Sequence, residues 1–241
     1  IQMNNYNDND DELPYNEKNI LITENEVNSI LKRFDINLKC ININLYRKAL
    51  VNKSYVTRKN ENFISGNENC PNNCLPLQEE SNERFEFLGD SVLSTTVANY
   101  LYKRYPDQNE GFLTKMRSKL VNGYMLADLC RHIKLYKWII ISKQIEDNNG
   151  RDNYKILEDI FEAFICAIFM DFNNINNSEI PNISGIGFQI AEKWIINVIE
   201  DYVDFAELIQ QNINYKDKLI KYFQHTYLKM PTFYESNIEN I

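Results

Sequence analysis

Two short runs of acids carry the strongest chemical signal in this chain. Glu83, Glu86 and Asp90 stand at i, i+3 and i+7 of the run ERFEFLGDS. On a helix they fall within roughly 60° of one another and share a face. Like charges on neighbouring turns cost about a few tenths of a kcal/mol when exposed, and more when desolvated. A hard divalent cation such as magnesium or manganese would relieve that repulsion. A solvated acidic stripe near a helix N-terminus, where the macrodipole favours anions, explains this run alone equally well.

The second run alters the balance. KILEDIFEAFICAIFM is apolar on most sides, interrupted by Lys155, Glu158, Asp159 and Glu162. Such a helix belongs in a core, where acids are costly unless paired or metal-bound. Asp159 and Glu162, at i and i+3, face the same way, and Lys155 is the one nearby cation. Two helices with aligned acids make a carboxylate cage for hard cations, suited to phosphodiester hydrolysis. A di-iron oxidase would need Glu-x-x-His on two helices, and neither acid pair is followed by histidine. A Ser-His-Asp hydrolase would need a nucleophile elbow and a placed histidine, and the chain has only His132 and His225.

The elements that must position these acids read as helices. Apolar spacing predicts amphipathic helices from Val27 and over 41–50, then a strong helix from Glu83 to Tyr105. Helices follow at about 112–122 and 125–133, a short apolar stretch at 135–141, and a turn at 146–153. Lys155–Phe172 is the buried helix, Phe188–Gln210 a long amphipathic one, and 213–236 a helix followed by one strand. Residues 58–80 and 173–185 read as loops. Only 7 Gly and 6 Pro in 241 residues argue against a turn-rich β fold.

Composition sets outer bounds. A net charge of -8 sits awkwardly with a nucleic-acid partner, whose binding normally leaves a basic footprint; acids that hold cations would resolve part of it. No apolar run reaches the roughly 18–20 residues of a membrane span, so no membrane partner is expected. Five cysteines, with Cys70 and Cys74 close in a loop, read as free thiols rather than zinc ligands. They suit a reducing, intracellular and cytoplasmic setting. Asn, Ile and Lys are used heavily, which points to an AT-rich genome more than to a physical need.

Three blocks together resemble the ribonuclease III family: NERFEFLGDSVLS at 82–94, EGFLTKMRSKLVN at 110–122 and LEDIFEAFICAIFMD at 157–171. Their order and spacing agree, over about residues 26–205. The resemblance implies an all-α endonuclease domain and magnesium as cofactor, with manganese able to substitute. It implies that Glu86, Asp90, Asp159 and Glu162 are the principal metal ligands. Glu83 and Glu110 match two further acids that line the cleavage site and assist a second metal. Lys155 resembles a lysine of eukaryote-like members that assists the transition state; a plain surface lysine is the alternative. Phe87 matches an aromatic knob that enters a socket on the partner of a homodimer, an ordinary core position being the other reading. Glu158 and Cys166 depart from the small residues common at their positions.

The implied activity is magnesium-dependent endonucleolytic hydrolysis of double-stranded RNA, leaving 5′ phosphates and two-nucleotide 3′ overhangs. An inert scaffold that only binds duplex RNA is the alternative; the presence of all six acids points to catalysis. The tail YKDKLIKYFQHTYLKMPTFYE resembles the first helix and strand of an α/β double-stranded RNA-binding domain, with Gln224, Lys218 and Lys221 as RNA contacts. The rest of such a domain does not follow, so an incomplete one is expected. The expected organisation is an acidic, Asn-rich and poorly ordered arm over 1–25, the catalytic domain over 26–205, and a linker with the partial RNA-binding domain over 206–241.

Overall fold

The structure, a computed structural model, describes residues 14–58, 70–173, 185–210 and 215–232, without the side chains of 215–218 and 221. Its helices are α1 (Glu24–Arg33), α2 (Ile43–Ala49), α3 (Glu83–Arg104), α4 (Glu110–Leu120), α5 (Gly123–Ile133), α6 (Lys143–Asp147), α7 (Tyr154–Asn173), α8 (Gly187–Tyr202), α9 (Phe205–Gln210) and α10 (Tyr215–Tyr227). Among the described residues the only β pairing is two isolated parallel bridges, Val51 with Ile140 and Val56 with Gln78. The all-α class expected from the helical periodicity is what forms. The chain divides into two compact units, Ile1–Val203 and Asp204–Ile241. Among the described residues no helix is long and apolar enough to cross a membrane.

Local chemistry explains the helix starts. Thr23 and Glu26 form a reciprocal capping box at α1. Asn42, Asn109 and Asn122 cap α2, α4 and α5 through their side-chain oxygens, and Asn153 accepts from Lys155 N and Ile156 N at the start of α7. The heavy asparagine usage therefore has a physical use, since Asn is among the best N-cap residues.

The core is organised around α7. Leu157, Ile160, Phe161, Ala163, Phe164, Ile165, Cys166, Ala167 and Ile168 are all buried, on every side of the helix. Helices α2, α3, α5 and α8 pack around it. Trp194 of α8 fits among Phe34, Phe161 and Phe164, with ring centroids 5.7–5.9 Å away. At the far end of α7, buried Asp171 accepts from Tyr46 Oη (2.9 Å), Ile41 N (3.1 Å) and Asn42 N (2.7 Å). That acid is satisfied by donors and ties the entry of α2 to the central helix.

Two expectations need correction. The helix expected over 188–210 is broken at Val203, whose backbone is extended. Asp204 Oδ1 accepts from Ala206 N (2.9 Å) and Glu207 N (3.1 Å), so it caps a new helix, α9. The N-terminal arm also ends earlier than residue 25. From Pro14 the chain packs as a strap: Asn16, Asn19 and Ile22 are buried, and both asparagine amides donate to Ile141 O. Arg151 donates to Asn19 Oδ1 (3.1 Å), and half-buried Glu146 joins Arg151 (2.7 Å) and Asn16 (2.9 Å). These polar residues are ordered because each finds partners. Residues 1–13 lie outside the described residues, as does most of the strand expected after α10.

Candidate metal centre

The site is made where α3 crosses α7. A Cβ on Gly89 would stand 1.8 Å from Glu162 O and 3.3 Å from Cys166 N, so the two backbones nearly touch there. Only glycine permits that approach. The crossing brings Glu86, one turn before Gly89, against Asp159 and Glu162. Each of these three offers a carboxylate oxygen, and the oxygens lie within 4.8 Å of one another. Glu86 and Glu162 line a groove of about 570 Å³ with Glu83, Phe87, Asp90, Lys155 and Glu158, and Lys155 in that lining pairs with Asp159.

Burial raises the cost of charge here. Glu162 is 7% exposed, and its carboxyl is pushed up to about 8, first by burial and then by Asp90, Glu158 and Glu86. Glu86 and Asp159 are both raised, by burial first; the Asp159 charge adds to the rise at Glu86, and Glu158 adds to that at Asp159. Lys155 partly offsets this, with Nζ at 2.8 Å from Asp159, 3.1 Å from Glu158 and 3.9 Å from Glu86. Asp159 Oδ1 is buried and, despite that close ammonium, makes no aligned hydrogen bond. Three converging carboxyls that ionise reluctantly, with a single ammonium to offset their charge, are the donor set a hard divalent cation fits.

The remaining expected residues distribute unevenly. Glu83 and Asp90 are exposed on the rim, held by Ser81 Oγ (2.9 Å) and Ser94 Oγ (3.3 Å). Glu110 is not brought to this groove: it begins α4, where it accepts from Thr114 Oγ1 (2.7 Å). Phe87 is 78% exposed, so it is not a core residue of the chain by itself. Gln224 is exposed and donates to Met230 Sδ, while the side chains of Lys218 and Lys221 lie outside the described residues. Glu158 was noted in the sequence only as a departure in packing, yet it lines the groove and holds Lys155. The signal was there, since Lys155 and Glu158 are i and i+3 on one helix. All five cysteines are free.

These acids make stability depend on pH in a direction opposite to an ordinary surface carboxylate. Glu162 shifts upward from 4.5 to about 8 on folding. Between those values the folded state holds the extra proton, so its contribution is complete below the lower value and lost as pH rises through the upper. In chelated buffer, stability should fall between pH 5 and 9, by about 1.4 kcal/mol per pH unit at most from this group. Magnesium should restore more stability at pH 9 than at pH 6. Urea melts at these pH values check it; a flat or rising profile without metal would contradict the placement of Glu162.

Comparison with known proteins agrees with the geometry. The family model described as the ribonuclease III domain matches residues 83–173. A ribonuclease 3 of Borreliella burgdorferi is 31% identical over 211 residues, covering 87% of this chain and 74% of that protein. A probable ribonuclease 3 of Acanthamoeba polyphaga mimivirus is 28% identical over 218 residues, but this chain spans only 36% of its length. Among solved structures, the nuclease domain of ribonuclease III from Campylobacter jejuni, studied for flexibility in a region involved in dimer formation, superposes with a TM-score of 0.55 at 27% identity. That match covers 74% of this chain and 97% of the other. With the acids of α3 and α7 converging in one groove, and a relative matched along most of both lengths, the chain belongs to the ribonuclease III family.

Proposed function

We propose that the groove between α3 and α7 is the cleavage site of an endoribonuclease that cuts double-stranded RNA. The observation that carries this reading is the convergence of Glu86, Asp159 and Glu162 from two helices, with carboxylate oxygens within 4.8 Å of one another. These three residues, with Asp90 at the rim, would hold magnesium, or manganese in its place. A hard cation bound there supplies an activated water and stabilises charge on the leaving oxygen. The chain's own groups do the rest. Burial of Glu162 in the groove wall keeps its carboxyl from bulk water and strengthens the charge interactions it makes. Lys155 projects an ammonium, about half exposed, towards the position an anionic phosphodiester would take. Glu83, exposed and tethered by Ser81, stands where it can accept a proton or a water hydrogen bond at the rim.

Phe87, exposed beside the groove, would seat against a second copy of the chain in a homodimer. Two such grooves on opposite strands would give 5′ phosphates and two-nucleotide 3′ overhangs. Helix α10, with Lys218, Lys221 and Gln224, would add contacts to duplex phosphates and minor groove as the start of an RNA-binding domain. Incubation of the full chain with a long RNA duplex, in magnesium and in chelator, tests the reading. Metal-dependent conversion to short duplexes with those ends is expected. Duplex left intact at high enzyme concentration would overturn it, and intact but tightly bound duplex would identify a scaffold instead.

A further inference from the structure

We propose that Glu158 is a positioning residue that sets the metal affinity of the acid cluster by holding Lys155. This inference rests on the metal-binding reading of the groove and extends it to a residue with no place among the ligands.

Among the described residues the only cation paired within 4 Å with Glu86, Asp159 or Glu162 is the Lys155 ammonium, at 2.8 Å from Asp159 and 3.9 Å from Glu86. It occupies oxygens that a divalent ion would need, so the two cations compete. Release of Lys155 from Asp159 would strand an ammonium beside a cluster it no longer neutralises, unless a second anion already holds it. Glu158 is that anion. Its Oε2 lies 3.1 Å from Lys155 Nζ, from the same face of α7 one turn away. The ammonium therefore keeps one partner, Glu158, when the cluster takes a metal.

The placement of Glu158 is itself built by the fold. Gly123, the first residue of α5, leaves the space that this carboxylate fills: a Cβ there would stand 2.7–3.0 Å from its three terminal atoms. Glu158 is partly buried, and it lines the groove wall beside Lys155 and Glu162. A freely solvated glutamate would pay more rotamer entropy to hold one lysine geometry.

Calorimetric titration of the full chain with Mn²⁺, in chelator-stripped buffer and without RNA, tests the proposal. Glu158→Gln keeps the shape and removes the anion; it should weaken Mn²⁺ binding about fivefold. Lys155→Met removes the competing cation and should tighten binding. The decisive measurement is the double variant. If Glu158 acts through Lys155, Glu158→Gln should change affinity by less than about twofold in the Lys155→Met background. An equal loss in both backgrounds would show that Glu158 acts only as a distant negative charge, and would overturn the proposal. So would an unchanged or weaker affinity in Lys155→Met. No Mn²⁺ binding by the unsubstituted chain would overturn the metal site itself, a separate failure. Thermal melts of each variant in chelator exclude loss of the fold as the cause.

Discussion

Glu162→Gln should abolish cleavage of duplex RNA, by about three orders of magnitude or more, while leaving the fold and duplex binding within a few-fold of the parent. The substitution keeps the side chain's shape in a buried position. It removes one anion of the three that share a 4.8 Å cluster. A cation held by that cluster is worth several kcal/mol to the transition state, and each 1.4 kcal/mol or so is tenfold in rate. The same change removes a carboxyl that resists ionisation, shifted up to about 8. The metal-free variant should therefore lose less stability than the parent between pH 5 and 9. Single-turnover cleavage beside a filter-binding isotherm reads both parts. Cleavage within tenfold of the parent would remove Glu162 from the metal centre.

The second large effect is on the frame that holds the acids. Gly89→Ala should destabilise the protein by about 2 kcal/mol or more, a fall of roughly 4–8 °C in Tm. The added Cβ would meet Glu162 O at 1.8 Å and Glu162 C at 2.6 Å. Both are backbone atoms of the central helix, so no side chain can turn away; α3 must lift from α7. That displacement parts Glu86 and Asp90 from Asp159 and Glu162, so cleavage should fall further than stability alone would explain. Gly111→Ala is the control: its Cβ would meet only Asn109 Oδ1, at an ordinary 3.5 Å. There the gain in helix propensity should leave Tm unchanged or slightly raised. Equal melting temperatures for the two variants would refute the close crossing.

Much of the site was legible in the residues because helices translate spacing into direction. Glu83, Glu86 and Asp90 on one run, and Asp159 and Glu162 on another that is apolar all round, already implied two faces that must meet. Gly89 was invisible as a determinant, since nothing in ERFEFLGDS says which backbone lies opposite it. Glu110 shows the same limit from the other side. Its position within a matching block placed it among the acids, but where α4 carries it is set by packing, and it is not among the residues that line the groove. Asp204 could have been recognised as an N-cap, yet the apolar period runs on through it and hid the break between α8 and α9. The strap failed for a different reason. Asn16 and Asn19 look like disordered composition, and only their partners at Ile141 and Arg151, more than a hundred residues away, make their burial affordable.

That strap also bears on the order in which the molecule assembles. The hydrogen bonds of its Asn16 and Asn19 to Ile141, Glu146 and Arg151 join positions 122 to 132 apart in the chain. Closing so large a loop costs entropy before any contact repays it, and the receiving surface at Ile139–Arg151 exists only once α5 and α7 have packed. The segment from Pro14 to Ile22 should therefore fasten last during folding and be the first part of this unit to open afterwards. In hydrogen exchange it would form its own low-lying step, with the amide of Ile141, which donates to Asn19 Oδ1, exchanging alongside it and ahead of the amides inside α7.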